Sequence, residues 1–151
     1  MLRCWTLGEA IAISRSERCI SWALDFPAEG DRIIAGILTA NPELLVEHGH
    51  RLIIERGTGS VVGSVGLFWP PHQGTVEIGY GIVPSRRRRG YASEATRALA
   101  TFALGAPGIH TVVADVDISN TPSIRALEKS GFERCGSPDG AFRYRISREC
   151  R

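Results

Sequence analysis

Little in this sequence is present in excess, and what it lacks narrows the reading. Its four cysteines, Cys4, Cys19, Cys135 and Cys150, form no C-x-x-C pair. Their wide spacing matches no zinc-ligand pattern, so no metal is expected and free thiols in a reducing compartment are. No apolar run approaches the roughly 20 residues that span a bilayer. The N-terminus lacks the basic start and apolar stretch of a secretory signal. A cytoplasmic protein without a membrane partner is therefore expected. The formal net charge is only +2, too weak a field to argue by itself for nucleic acid. There is no repeat, low-complexity tract or long linker, and the prolines and glycines punctuate turns throughout. What remains is ordinary: 151 residues, 43% hydrophobic and 23% charged, enough for a single domain that buries a core without a staple.

The pattern along the chain predicts a mixed α/β sheet. Residues 1–27 carry the weakest signal, with a short helix or a strand end at 7–13. Residues 28–45 read as helical, with Ile33, Ile34, Ile37 and Leu38 on one face and an interruption at Pro42. Strands follow at 51–56 and 61–68, joined by Gly57-Thr58-Gly59-Ser60. Trp69-Pro70-Pro71 is expected to end the second, and a third strand covers 75–83. Residues 90–104 read as a helix that buries Ala95, Leu99, Phe102 and Ala103. A valine-rich strand at 109–118 comes next. Then Thr121 should cap a helix with Pro122 at its first position; Ile124 and Leu127 should face inward, and Gly131 should end the helix. Strands at 132–135 and 141–146 close the chain. The strand–helix–strand unit over 75–118 should be a parallel crossover.

Chemistry concentrates where the third strand passes into the next helix, through Ile82-Val83-Pro84-Ser85-Arg86-Arg87-Arg88-Arg89-Gly90-Tyr91-Ala92-Ser93. A helix N-terminus presents unpaired N–H groups and partial positive charge. A glycine lets backbone close around phosphate, and arginines add charge and forked donors. A four-arginine run alone is more often a solvated face or a nucleic-acid patch. Its place between a glycine-containing strand and an amphipathic helix makes it a candidate pyrophosphate cradle. It is neither a P-loop nor a G-x-G-x-x-G turn.

Arg87-x-x-Gly90-x-Ala92 resembles the Gln/Arg-x-x-Gly-x-Gly/Ala signature of the GCN5-related N-acetyltransferases. The segments Glu77-Ile78-Gly79-Tyr80 and Gly90-Tyr91-Ala92-Ser93-Glu94-Ala95 are similar to the branch that includes the RimJ/RimL-type ribosomal-protein N-terminal acetyltransferases. So is Asn120-Thr121-Pro122-Ser123, followed by Leu127-Glu128-Lys129-Ser130-Gly131-Phe132. The resemblance spans about residues 52–135, and the family's first strand is faint or missing. It implies a mixed, mainly antiparallel central sheet flanked by helices, with a splayed central strand pair at the cofactor site. It also implies one domain over 1–151: an N-terminal helical acceptor-side region (1–50), an acetyl-CoA-binding core (51–135) and a closing strand (136–151).

By the same resemblance, the Ile82 and Val83 backbone pairs with the pantetheine arm of acetyl-CoA. The N–H groups of Arg87, Arg88, Arg89, Gly90, Tyr91 and Ala92 hold the pyrophosphate, with Ser93 adding a hydroxyl. Asn120 contacts the arm, Arg125 approaches the distal phosphates, the Val83 amide donates to the oxyanion, and Ser123 lies near the sulfur. Direct attack by a primary amine needs a proton acceptor, because alkylammonium ions are protonated at neutral pH. Glu77 on the central strand is the candidate base and equally reads as a surface or salt-bridged glutamate. His72 and Tyr80 are lesser candidates. The acceptor is a small-molecule amine or a protein N-terminus, and the protein a monomer or homodimer. A regulatory acyl-CoA-binding module without turnover is the second reading. A nucleic-acid binder using Arg86, Arg87, Arg88 and Arg89 ranks third.

Overall fold

Residues 1–148 are described by a computed structural model. Among them, seven strands form a single sheet of order β1-β2-β3-β4-β5-β7-β6, and four helices pack on it. The first strand, expected to be faint or missing, is present as β1 (Leu2–Cys4), antiparallel to β2 (His50–Ile54). Residues 7–13 resolve as helix: α1 (Leu7–Ser14) is opened by a capping box in which Thr6 accepts from the Glu9 amide and Glu9 accepts from the Thr6 amide. Arg3 grips the same Glu9 with both guanidinium nitrogens at 2.8 Å, tying β1 to α1.

The second helix, α2 (Glu29–Ala40), ends before Pro42, and a 3-10 turn, Pro42–Leu44, follows. Its buried Asp31 accepts from Ser64 at 2.5 Å and from the Ala28 amide at 2.9 Å. That pair fixes α2 against one face of β3 (Val61–His72). Trp69-Pro70-Pro71 does not end β3. The strand breaks register after Phe68, resumes pairing at His72 with Thr75, and turns through Gln73 and Gly74, both at positive φ. This is the geometry of a two-residue hairpin loop, and it puts His72 on a strand end.

The central strand β4 (Thr75–Ile82) leads to α3 (Tyr91–Leu104), which lays Ala95, Thr96, Leu99, Ala100 and Ala103 against the other face. Phe102 is off that stripe and 39% exposed. It stacks on His48 at 4.7 Å and lies under the Arg51 guanidinium. The chain returns through β5 (Thr111–Asp117), α4 (Thr121–Lys129), β6 (Glu133–Gly136) and β7 (Ala141–Ser147). The cap of α4 is Asn120, one residue earlier than expected, with its side chain accepting from the Ser123 amide; Pro122 is thus the second helical residue. Leu127 is buried as expected, whereas Ile124 is half-buried. Cys4, Cys19 and Cys135 are free thiols; Cys150 lies outside the described residues.

The parallel pair β4–β5 sets the site. It holds only over Thr75↔Thr111, Val76↔Val112 and Glu77↔Val113. Beyond that point β5 continues against β7, while Ile78 to Ile82 stays paired with β3 alone.

Candidate functional site

A wedge therefore opens between β4 and β5. Alternation decides which backbone groups line it. The Val83 amide donates to the Val62 carbonyl at 2.9 Å, so the amides of Gly81 and Gly79 also face β3. Those of Ile78, Tyr80 and Ile82 face the wedge. This corrects the expectation for Val83: its amide, expected to donate to the oxyanion, donates to the Val62 carbonyl instead, and its carbonyl accepts from the Arg86 amide. The Ile82 amide faces the wedge, and its carbonyl accepts from Arg87 Nε at 3.1 Å.

The wide end of the wedge leads into the arginine loop. Pro84–Arg86 forms a 3-10 turn, Arg88 takes φ +65°, and Gly90 takes φ +80° as the N-cap of α3. The first intrahelical bond runs from the Glu94 amide to the Gly90 carbonyl. The amides of Tyr91, Ala92 and Ser93 thus point out of the helix end, where the N-terminal field favours an anion. Ser93 is half-buried and its hydroxyl donates to the Gly90 carbonyl at 3.1 Å. Beyond it, Ser93, Arg97 and Lys129 edge a shallow groove of about 500 Å³ between α3 and α4.

The arginines divide by task, which sequence reasoning did not foresee. Glu55, at the end of β2, is 6% exposed. It accepts from Thr58 at 2.7 Å, Tyr91 at 2.7 Å, Arg89 at 3.1 Å and Arg86 at 3.3 Å. The Thr58 and Tyr91 hydroxyls, then Arg86, hold its carboxyl down at about 2. Arg86 and Arg89 consequently face a carboxylate, while Arg87 turns onto Ile82. Asp25, from the segment before α2, receives the Ser85 amide at 2.8 Å and the Ser85 hydroxyl at 2.6 Å. The only sequence signal for Glu55 was an acid flanking a glycine turn, and for Asp25 there was none.

Across the wedge, the Tyr80 hydroxyl donates to the Ser123 carbonyl at 3.0 Å. It bridges β4 to the first turn of α4 and brings Ser123, half-buried, to the wedge. Tyr80 is thus a packed aromatic with a satisfied hydroxyl. Asn120 sits at the same helix end, engaged as its cap, and Arg125 projects from α4 into solvent.

Glu77 lies where the wedge begins, on the sheet face toward α2. It pairs across strands with Phe68 on one side and Val113 on the other. Asp115 and Arg143 are its charged neighbours and form a two-pronged ion pair at 2.8 and 2.9 Å. Glu77 is exposed, and partial desolvation, then the Asp115 charge, raise its carboxyl above its ordinary value, with Arg143 opposing. Next to Glu77 on this face, Gly79 and Gly81 leave bare backbone, and a Cβ at Gly79 would press the Phe68 ring at 3.1 Å.

The family model of the Acetyltransferase (GNAT) domain matches residues 9–133 of this chain, a span that holds the splayed parallel pair and the α3 N-terminus. The chain belongs to the GNAT acetyltransferase family. Among curated relatives, the N-acetyltransferase YjdG of Bacillus subtilis is 33% identical over 82 residues, 54% of this GNAT chain. That match spans about half (49%) of the relative's own length. A GNAT-family acetyltransferase from Bacillus anthracis superposes with TM-score 0.69 at 23% identity, covering 97% of this chain and 93% of that one. An aminoglycoside acetyltransferase in complex with coenzyme A and kanamycin gives 0.67 at 21% identity, covering 98% and 94%. At these identities the structural matches establish the fold. Among the described residues of this GNAT domain no helix is long and apolar enough to cross a membrane, and no group of three or more His, Cys, Asp or Glu could hold a metal ion.

Proposed function

We propose that this domain moves an acetyl group from acetyl-CoA to a primary amine, and that it belongs to the RimJ/RimL-like branch. One observation carries the reading: a wedge lined by the amides of Ile78, Tyr80 and Ile82 opens onto the free helix end at Tyr91, Ala92 and Ser93. These groups fit an extended amide-bearing arm ending in a pyrophosphate. Arg88 and the backbone from Arg87 to Ala92 would hold the phosphates. The groove of Ser93, Arg97 and Lys129, with Arg125 above it, would take the nucleotide end. Bound there, acetyl-CoA supplies a thioester open to attack by an amine.

The chain's own groups then divide the work. Glu77, with its raised proton affinity, accepts the proton of the incoming ammonium directly or through a water. An amide of β4 facing the wedge donates to the carbonyl oxygen as it gains charge, which is worth most when the donor is fixed in advance. The Ser123 hydroxyl donates to the departing sulfur. Residues 1–50 supply the acceptor-side wall, through α2 and the segment anchored by Asp25. The cytoplasm is the expected location.

Thermal unfolding with acetyl-CoA, CoA and ATP tests the donor site. A ligand at 100 times its dissociation constant stabilises by about 2.7 kcal/mol, or roughly 5–10 °C for a domain of this size. Acetyl-CoA and CoA should raise Tm and ATP should not; no rise at millimolar acetyl-CoA would defeat the proposal. Glu77→Gln should then lower turnover about 10²–10⁴-fold and leave the acetyl-CoA shift intact. An equal loss of both would point to a structural glutamate, and full binding with no turnover in the parent protein would favour a regulatory module.

A further inference from the structure

A cavity of about 110 Å³ lies between α2 and the β2–β3 edge, on the sheet face that carries Glu77. Ile37 and Leu44 form its roof, and Gly49, His50, Phe68 and Trp69 its floor and sides. With water occupying about 30 Å³ in the liquid, the space equals roughly four waters, enough for a branched aliphatic group or a small ring. The lining is apolar with one exception. His50 is only 7% exposed, and its ring lies so close over Gly66 that a Cβ there would sit 1.9 Å from Nδ1. The Phe68 ring meets it edge-on at 5.4 Å.

Neither His50 ring nitrogen has a hydrogen-bond partner among the described residues, and burial favours its neutral form. The ring nitrogens are thus open to a ligand group that offers one hydrogen bond amid apolar contact.

The cavity is in line with the wedge. His50 pairs with Gly66, and Gly66 with Gly79, the second residue beyond the point where β4 parts from β5. Two strand spacings separate His50 from Gly79, about 10 Å. Phe68, 43% exposed, stands between them with its ring over the bare backbone of Gly79. A chain crossing Phe68 would therefore reach from the wedge to the cavity.

We propose that this cavity is an acceptor subsite, and that the acceptor is a primary amine bearing an apolar group about 10 Å from its reacting nitrogen. The proposal rests on the acetyl-transfer reading above. Two sources offer that chemistry. An extended peptide advances about 3.3–3.6 Å per residue, so the third side chain behind a free N-terminus reaches the cavity. An aryl-alkyl amine of similar reach does so too.

The test pairs Gly-Gly-Leu with Gly-Gly-Ser, and 6-phenylhexylamine with hexylamine, as acceptors for the full chain. A second readout is the His50 imidazole NMR resonance, assigned with His50→Gln and followed as each amine is added in the presence of CoA. The apolar member of at least one pair should have a KM at least ~10-fold lower, the scale expected from burying two or more methylenes. It alone should move the His50 resonance. Ile37→Phe, which fills the cavity, should abolish that preference and leave the KM for acetyl-CoA unchanged. Preference confined to the peptide pair assigns the subsite to peptides, and preference confined to the alkylamine pair assigns it to lipophilic amines. Equal KM values within both pairs, with a stationary His50 resonance, would overturn the proposal even if turnover is rapid. A His50 shift specific to the apolar probes without any acetyl transfer would keep the subsite and remove the acetyl-transfer reading.

Discussion

A carboxylate at position 55 meets two hydroxyls and two guanidinium groups within 3.3 Å, and its consequences are acid-sensitive. The folded carboxyl sits at about 2, below its usual 4.5. A depressed carboxylate stabilises the fold above the unfolded value and loses that contribution as pH falls through the folded one. Glu55→Gln should therefore melt below the parent protein at pH 7. The gap should close between about pH 4.5 and 2 in paired thermal melts, with weaker acetyl-CoA binding at neutral pH because Arg86, Arg89 and Tyr91 lose their common anchor. Glu77 behaves oppositely. Its proton affinity is raised by partial desolvation and then by Asp115, so a base at this position loses activity at a higher pH than an unperturbed glutamate would as pH drops. Asp115→Asn removes the raising charge and releases Arg143 to act on Glu77 alone. The acid limb of kcat/KM should move to lower pH, and an unmoved limb would take Glu77 out of the proton-accepting role. The places of Gly90 and Ser123 at helix starts were legible because the resemblance assigned them to motif positions, and that of Glu77 because strand alternation set it on the central strand. Glu55 and His50 were not, because each acquires its meaning from partners 30 or more residues away (Arg86 and Arg89 for one) or from a neighbouring strand.

Helix ends show what local rules settle and what they leave open. Thr6 and Glu9 form a capping box legible in three residues of spacing, yet a bare periodicity left 7–13 open between helix and strand. At α4 the proline pointed to the right turn but the wrong cap. Asn120 wins over Thr121 because its side-chain oxygen reaches the Ser123 amide. Asn120→Ala should cost about 0.5–2 kcal/mol, a Tm loss of roughly 1–8 °C at this chain length. If Asn120 is only a cap, acetyl-CoA binding to the folded variant should be unchanged, and a disproportionate loss of binding would give it a second role at the wedge. The strand calls were right in order and wrong at the edge where a register shift intervenes. Trp69-Pro70-Pro71 breaks pairing with β4 but not the direction of the chain, and composition alone cannot tell a bulge from an end. Phe102 was placed in the core by its helical phase. The adjoining core positions, Ala100 and Ala103, are small, so α3 packs close and leaves the larger ring to His48 and Arg51 at the rim.

On the scale of the molecule, the motif order made the sheet readable, but the faint first strand was settled only by pairing with β2. The seam between the two halves of that sheet is three residue pairs wide. The strands before β5 pair outward through β3 and β2 and those after it through β7, while α3 and the Tyr80–Ser123 bond span the seam. Within β4 itself, adjacent residues therefore live in different surroundings, one amide locked to β3 and the next facing open space. Deuterium exchange resolved to single residues should trace a comb along this strand: slow at Gly79, Gly81 and Val83, fast at Ile78, Tyr80 and Ile82. A bound pantetheine arm should fill in the missing teeth, and which of the three amides slows most would report where along the strand the arm makes its bonds.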